Sequence, residues 1–216
     1  DAYDPDDDEL PPIAARSLPS ETELQAPAQA AEQLRTRIDQ TKDRHQLAAL
    51  WLELAELTRD RLHDPDGAVP CFEAILDTAE PRSDEWAEAM EALEDLRALR
   101  SEWDELLALY DRKIAAEVGE PAQIQLVKAS VLRTCGRLEE AQQAAETALS
   151  VGDRALDLLV AILEDRGLNA EASNRLLADI SELSTVERAH RRWRAAEIIH
   201  ETDPNRALTL IGEAAR

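Results

Sequence analysis

The chain has 216 residues, of which 46 are acidic and 24 are basic, so its formal net charge is −22. An acidic excess of this size disfavours binding to nucleic-acid phosphates and to anionic membrane surfaces. No apolar run approaches the roughly 20 residues of a membrane-spanning helix. Alanine and leucine supply 37 and 31 residues, against 10 isoleucines and 7 valines, which favours helix over sheet. We therefore expect an all-α fold.

Residues 1–27 differ in composition from the rest of the chain. They contain five of the ten prolines, and residues 1–24 carry eight acids against Arg16 alone. Low hydrophobicity combined with high like charge predicts an extended, acidic tail or linker. Alternating aspartates in this segment imitate a calcium loop, but the glycine and the glutamate that such a loop requires are missing. We therefore expect no calcium site there.

From about residue 28 onward the apolar residues follow a helical period, and the pattern repeats. In five places a turn leads into a helix in which an anchor residue is followed, four positions later, by another apolar residue. Successive anchors are on average about 35 residues apart, a period typical of helical-hairpin solenoids. The anchors are Ala68, Leu106, Ala141, Ala172 and Ala207, and the residues four positions later are Phe72, Tyr110, Ala145, Leu176 and Ile211.

Each anchor helix is preceded by another amphipathic segment, so the repeating unit is a pair of helices joined by a turn. Asp64 and Asp203 each stand before a proline, the arrangement of a capping acid followed by Pro at the first helical position. We expect Ser101 to cap its own helix in the same way. Gly136 and Gly167 are expected to end the preceding helices in the left-handed conformation.

These residues resemble the tetratricopeptide repeat (TPR) family, whose pattern has a small residue in the first helix, Gly at the turn, and small and aromatic residues down the second helix. The best match covers residues 121–153, with Ala129, Gly136, Leu138, Ala141 and Ala148. The resemblance extends over about 170 residues in four and a half to five degenerate hairpins. It implies that residues 28–216 form an α-solenoid, a right-handed superhelix of antiparallel helical hairpins. Its first helices would line a concave face that binds peptides or partner proteins.

The resemblance also implies which residues line that face. In three successive hairpins they are Gln123, Val127, Ser130 and Arg133, then Arg154, Asp157, Ala161 and Glu164, then Arg192, Trp193, Ala196 and His200. Family members that grip chaperone carboxyl termini use Lys and Asn at such positions. This set contains no lysine, so a carboxylate clamp of that kind is not expected.

Four arginines surround Trp193 within the last 32 residues, where six bases meet five acids. They are Arg188, Arg191, Arg192 and Arg194. We expect Trp193 to be buried between two hairpins. The alternative is that the arginines and Trp193 grip an acidic segment, because both residue types are enriched in binding hot spots. The acidic tail of the same chain, in cis or from a neighbouring molecule, is a candidate for that segment.

A second surface feature lies in residues 77–120, which hold 14 acids and 5 bases. At helical spacing, one stripe consists of Asp84, Glu88, Glu91 and Asp95, and another consists of Trp86, Met90 and Leu93. We expect the acidic stripe to be a solvated helix face. The alternative is a docking surface for a basic partner, with steering that weakens in salt.

No motif in the chain indicates catalysis, a metal site or a cofactor. None of the four histidines forms the i, i+4 pair of a helical zinc motif, and no Gly-rich phosphate loop or nucleophile elbow is present. Cys71 and Cys135 lie too far apart for a metal or redox motif, so we expect two reduced thiols and a reducing, cytoplasmic compartment.

The sequence therefore predicts a non-enzymatic interaction module that binds a protein or a peptide. Two alternatives remain open. The first is an acidic inhibitor or nucleic-acid mimic that blocks a basic partner, and the second is a regulatory repeat domain of a larger signalling or effector protein.

Overall fold

A computed structural model describes residues 21–215, with side chains from Gln25 onward. All regular structure in these residues is helical. In chain order the helices are α1 Glu21–Gln40, α2 Arg44–Glu56, α3 Pro65–Thr78, α4 Asp84–Leu99, α5 Trp103–Ala115, α6 Pro121–Thr134, α7 Leu138–Thr147, α8 Asp153–Asp165, α9 Asn169–Leu177, α10 Thr185–Ile199 and α11 Pro204–Ala214. A π-helical turn, Leu57–Arg61, follows α2, and short 3₁₀ turns lie at Leu149–Val151 and Ile180–Glu182.

The helices pair in sequence as five hairpins, namely α2 with α3, α4 with α5, α6 with α7, α8 with α9, and α10 with α11. The chain divides into two compact units, the first ending at Thr78 and the second beginning at Ala79. Within the second unit, the second helix of each hairpin packs on the first helix of the next, as α5 does on α6, α7 on α8 and α9 on α10. The predicted TPR-like all-α repeat fold is confirmed.

The predicted register is visible in the second helices. All five anchors are buried, and each is the fourth residue of its helix. Each anchor N–H donates the first α-helical hydrogen bond, at 2.9 to 3.2 Å, to the residue preceding the helix. Four positions after the anchor the side chain is buried in the first four hairpins, whereas Ile211 in the fifth is exposed. The anchors are therefore packed in every hairpin, and only the fifth hairpin leaves the apolar side chain four positions later, Ile211, exposed.

The turns within the hairpins share one backbone feature. The residue five positions before the anchor has a left-handed conformation in four hairpins, with φ of 54° at His63, 58° at Ser101, 75° at Gly136 and 73° at Gly167. In three of these hairpins the following N–H donates to a carbonyl five residues back, as Glu102 N does to Arg97 O at 2.9 Å, which is the Schellman ending of a helix. After His63, Asp64 N donates to Thr58 O, six residues back.

The glycine predictions at this turn are therefore confirmed, and the prediction that Ser101 caps α5 is wrong. Ser101 occupies the left-handed position that ends α4, and α5 begins after Glu102 without a side-chain cap. The two aspartate caps are present. Asp64 Oδ1 accepts the Gly67 N–H at 2.8 Å, and Asp203 Oδ1 accepts the Arg206 N–H at 3.0 Å.

The beginning of α1 differs from the predicted tail. The helix begins at Glu21, so residues 21–27, which we expect to be extended, are helical and include Pro27. The residues before Pro27 are mostly good helix formers, and Pro27, the seventh residue of α1, removes one backbone hydrogen-bond donor from the helix. The rest of the predicted tail, including its aspartates, lies outside the described residues.

The core of the second unit is a continuous cluster of buried aliphatic residues that extends from Leu107 in α5 to Leu210 in α11. Alanines fill many of the helix contacts, which allows the helices to approach closely with few aromatic side chains. Within residues 21–215, no helix is both long enough and apolar enough to cross a bilayer.

Candidate interaction surface

Three first helices of the second unit, α6, α8 and α10, are connected by ion pairs on their exposed sides. Arg133 Nε of α6 lies 2.6 Å from Asp165 Oδ2 of α8. In α10, Arg191 Nη2 lies 2.5 Å from Asp153 Oδ1 and Arg194 Nη1 lies 2.7 Å from Asp157 Oδ1, both in α8. Because these last two pairs advance in the same direction along both helices, α8 and α10 run parallel. We call the exposed sides of α6, α8 and α10 the first-helix surface.

A groove of about 350 Å³ lies between α8 and α10, with Leu176 of α9 also contributing. Its apolar lining is Leu156, Leu176 and Val186. Its polar lining consists of the two ion pairs together with Glu187 and His190. The pKa of the Glu187 carboxyl is lowered because it accepts hydrogen bonds from Ser184, the capping residue of α10. The groove therefore combines an apolar patch with charges that are already held in place.

A second groove, of about 330 Å³, lies between α6 and α8 near their carboxyl ends. It is lined by Ser130, Thr134 and Leu158 and by the Arg133–Asp165 pair. The guanidinium of Arg133 lowers the pKa of the Asp165 carboxyl by donating a hydrogen bond to it. At neutral pH this pair is fully charged, so the groove presents both signs of charge to a ligand.

The residues predicted to line a concave face are distributed unevenly over these grooves. Ser130 and Arg133 line the α6–α8 groove, and Asp157 lines the α8–α10 groove with Arg191. The remaining polar members line neither groove: Arg192 is half-buried, and the exposed ones are Gln123, Arg154, Glu164 and His200. Of the apolar members, Val127 is exposed and Ala196 is buried.

The arginines around Trp193 do not form one cluster. Arg191 and Arg194 face α8, whereas Arg192 Nε lies 3.3 Å from Glu213 Oε2 of α11. Arg188 donates to the Leu183 carbonyl and to Thr185 Oγ1 beside its own helix start. The arginines are divided because consecutive helix positions lie about 100° apart around the axis.

The prediction that Trp193 is buried between two hairpins is wrong, because half of its side chain is exposed. Its neighbour Arg192 faces α11, and a rotation of one position places Trp193 on the side of α10 away from Arg191 and α8. The described helices that pack most extensively on α10 are α9 and α11.

The acidic stripe lies on α4 as the spacing predicts. The side chains of Asp84, Glu88, Glu91 and Asp95 are exposed. The apolar residues of the same helix, Trp86, Met90 and Leu93, are fully buried. The division of α4 into a buried and a solvated face is therefore confirmed.

Several groove residues were not predicted. They are Thr134, Asp153, Leu156, Leu158, Asp165, Leu176, Val186, Glu187 and His190. A signal for Asp153 was present, because Arg191 and Arg194 are three apart while Asp153 and Asp157 are four apart, so both pairs fall on single helix faces. Which two helices face each other depends on how the hairpins stack, and the local spacing of residues does not determine that stacking.

The described residues contain one further groove and two cysteines outside the first-helix surface. In the first unit, α1 and α2 enclose a groove of about 440 Å³ lined by mixed residues that include Leu34, Arg37 and Glu53. Cys71 and Cys135 are both unpaired thiols, and burial raises the pKa of Cys71. Within the described residues, no group of three or more His, Cys, Asp or Glu side chains is placed to hold a metal ion.

No protein-family model and no curated protein matches this chain. Solved structures resemble it. YrrB, described as a TPR protein with an unusual peptide-binding site, is 15% identical with a TM-score of 0.48, over 85% of this chain and 91% of its own. A putative kinesin light chain from Podosopora anserina with TPR-like repeats is 15% identical with a TM-score of 0.48, over 81% and 96%. A double mutant of MamA is 12% identical with a TM-score of 0.48, over 81% and 94%. At these identities the likeness is one of fold alone, and the helix pairing and register of this chain are themselves those of a TPR-like repeat.

Proposed function

We propose that this chain is a non-enzymatic protein-interaction module whose first-helix surface binds a segment of a partner protein. The observation that supports the proposal is the pair of grooves on either side of α8, each with apolar and charged lining. Both volumes fall at the lower end of the range of specific ligand pockets, about 300 to 1,000 Å³. Each groove therefore suits one or two side chains of a partner rather than a whole cofactor.

The dimensions of α8 indicate the length of the bound segment. One groove includes Asp153 at the start of α8 and the other includes Asp165 at its end. Twelve helical steps between them span about 18 Å. An extended peptide covers that distance in about five or six residues. We therefore propose a partner segment of at least this length, with an apolar side chain in the α8–α10 groove and a polar or charged one in the α6–α8 groove.

The charged side chains of the grooves are oriented before any partner arrives. Arg133, Arg191 and Arg194 each hold a carboxylate of α8, so little side-chain freedom remains to be lost on binding.

Both cysteines are unpaired, which supports a reducing compartment such as the cytoplasm.

The experiment is selection of a random peptide library against the immobilised chain, followed by calorimetric titration of the enriched peptides. Val186→Glu places a charge in the α8–α10 groove at a well-exposed position, and Leu99→Glu adds the same charge at an exposed leucine of α4. We expect Val186→Glu to weaken peptide binding by about tenfold or more, while Leu99→Glu leaves it unchanged. Failure to enrich any peptide, or equal binding by Val186→Glu, would contradict the proposal.

A second candidate function is supported by the acidic stripe of α4, whose four carboxylates are all exposed. In this function the stripe docks a basic partner surface and blocks it. The probe is a synthetic Lys- and Arg-rich peptide, and the variant replaces Asp84 and Asp95 by Asn and Glu88 and Glu91 by Gln. Binding that weakens steeply with added salt and is lost in the variant would favour this function over the groove.

A further inference from the structure

Exposed apolar side chains are concentrated on the last hairpin. Six large hydrophobic side chains are exposed in the described residues, and four of these belong to α10 or α11. They are Val186 (79% exposed), Trp193 (50%), Leu208 (69%) and Ile211 (45%). Val186 borders the α8–α10 groove, whereas Trp193, Leu208 and Ile211 lie outside both grooves.

The register of the repeat shows what the exposed residues of α11 correspond to. Leu208 and Ile211 are the fifth and eighth residues of α11, and Ser173 and Leu176 hold the same positions in α9. Ser173 and Leu176 are fully buried, and α9 packs against α10. The outer side of α11 is therefore a helix-packing side, but no helix among the described residues covers it.

The exposed stripe of α11 carries no charge. At helical spacing it comprises Pro204, Leu208, Ile211, Gly212 and Ala215, all of them exposed. The charged residues of α11 are used elsewhere, since Arg206 donates to Asn174 of α9 and Glu213 pairs with Arg192 of α10. An exposed apolar stripe on a helix side that packs elsewhere in the repeat indicates an interface.

Gly212 supplies an independent observation. A glycine inside a helix costs roughly 0.5 to 1 kcal/mol relative to alanine. Nothing in the described structure requires it, because a Cβ at this position would meet no atom within 4 Å. A glycine on an exposed, apolar helix face permits the close approach of another backbone.

We infer that this surface, formed by Trp193 of α10 and the Leu208–Ile211–Gly212 stripe of α11, binds a second copy of the same chain. Two molecules with a net charge of −22 repel each other at most of their surface. The last 32 residues hold six bases and five acids, so this hairpin is the place where two copies meet without that repulsion. A basic partner would gain no attraction from a neutral apolar face, and it would be drawn to the acidic surfaces instead.

The stripe is suited to a two-fold contact. In an isologous interface each residue meets its symmetry counterpart in the reversed order. An antiparallel crossing centred between Leu208 and Ile211 places Leu208 of one molecule against Ile211 of the partner subunit, and the two Gly212 residues near the crossing allow the helices to approach. Trp193 lies beside this contact, on the side of α10 away from α8.

The test measures the mass of the full chain by sedimentation equilibrium over a hundredfold range of concentration. We expect the mass to rise from 24.0 kDa to twice that value, and we expect added NaCl not to dissociate the dimer, since the interface is uncharged. Two variants attack the interface by different means. Leu208→Glu introduces a charge, and Gly212→Leu fills the space for the approaching helix without changing the charge.

We expect the dimer dissociation constant of each variant to be at least tenfold larger than that of the parent chain, so that both variants are mainly monomeric where the parent is dimeric. Leu99→Glu is the matched control, because it adds the same charge at an exposed leucine outside the hairpin and should still dimerise. Circular dichroism confirms that each variant retains its helices. A chain that stays monomeric up to about 0.1 mM, or a dimer that survives both interface variants, would overturn the inference.

Discussion

At the residue scale, the hairpin turns depend on one backbone position, five residues before the anchor. Glycine occupies it in two hairpins, whereas His63 and Ser101 take up the same left-handed conformation with a side chain present. A left-handed conformation costs a non-glycine residue roughly 1 to 2 kcal/mol, because the Cβ approaches the following carbonyl oxygen. The α4–α5 turn is therefore formed at a cost that the α6–α7 turn avoids.

We expect Ser101→Gly to stabilise the protein by about 0.5 to 1 kcal/mol, since the relief of backbone strain exceeds the extra entropy of glycine in the unfolded chain. The midpoint of urea unfolding measures the change. Gly136→Ala is the matched control of opposite sign, and a Cβ there would meet no atom within 4 Å, so any loss reflects backbone conformation alone. A lower midpoint for Ser101→Gly, or an unchanged one for Gly136→Ala, would contradict this account.

At the scale of the helix, the features that local residue patterns determine agree with the sequence, and the features that depend on neighbours do not. The anchors, the Asp64 and Asp203 caps and the two faces of α4 follow from helical periodicity and capping chemistry. The partners of Arg191 and Arg192 depend on how hairpins stack, as does the exposure of Trp193. For the same reason the pattern identified some groove residues but could not assemble the grooves.

The start of α3 shows how one cap can cancel the general preference of helices for alanine over glycine. Gly67 is the third residue of α3, and alanine is normally preferred over glycine in a helix by about 1 kcal/mol. Here a Cβ would lie 2.3 Å from Asp64 Oδ2, the carboxylate that caps the helix by accepting the Gly67 N–H. The substitution must therefore displace the cap, whose loss costs about 1 kcal/mol.

We accordingly expect Gly67→Ala to leave the stability of the parent chain about unchanged, because the two effects cancel, but to stabilise the Asp64→Ala variant by about 1 kcal/mol, since no carboxylate is left to displace. Urea unfolding of the four proteins in this double-mutant cycle measures the coupling between the two positions. Thr58 Cγ2 would lie 3.2 Å from the same Cβ, so a purely steric account predicts a loss in both backgrounds. A loss of equal size in the two backgrounds would show that the cap is not the cause.

At the scale of the whole molecule, the balance of charge governs how stability responds to salt. The inter-helix ion pairs are largely exposed, and exposed pairs contribute about 0 to 1 kcal/mol each. Against them stands the mutual repulsion of a chain with a net charge of −22, to which residues 77–120 contribute 14 acids and 5 bases. Repulsion within the compact state exceeds that within the expanded unfolded chain, so it opposes folding.

We therefore expect the thermal midpoint to rise as NaCl is added up to about 0.5 M, where the Debye length falls to about 4 Å and the repulsion is largely screened. The matched variant replaces Asp84 and Asp95 by Asn and Glu88 and Glu91 by Gln, which leaves a net charge of −18. Its midpoint should rise less over the same range of salt, whatever its stability in low salt. A midpoint that falls with NaCl would show that the ion pairs between helices outweigh the net repulsion. An equal rise in both proteins would show that the α4 stripe is not a main source of that repulsion, because its removal would then have relieved none of it.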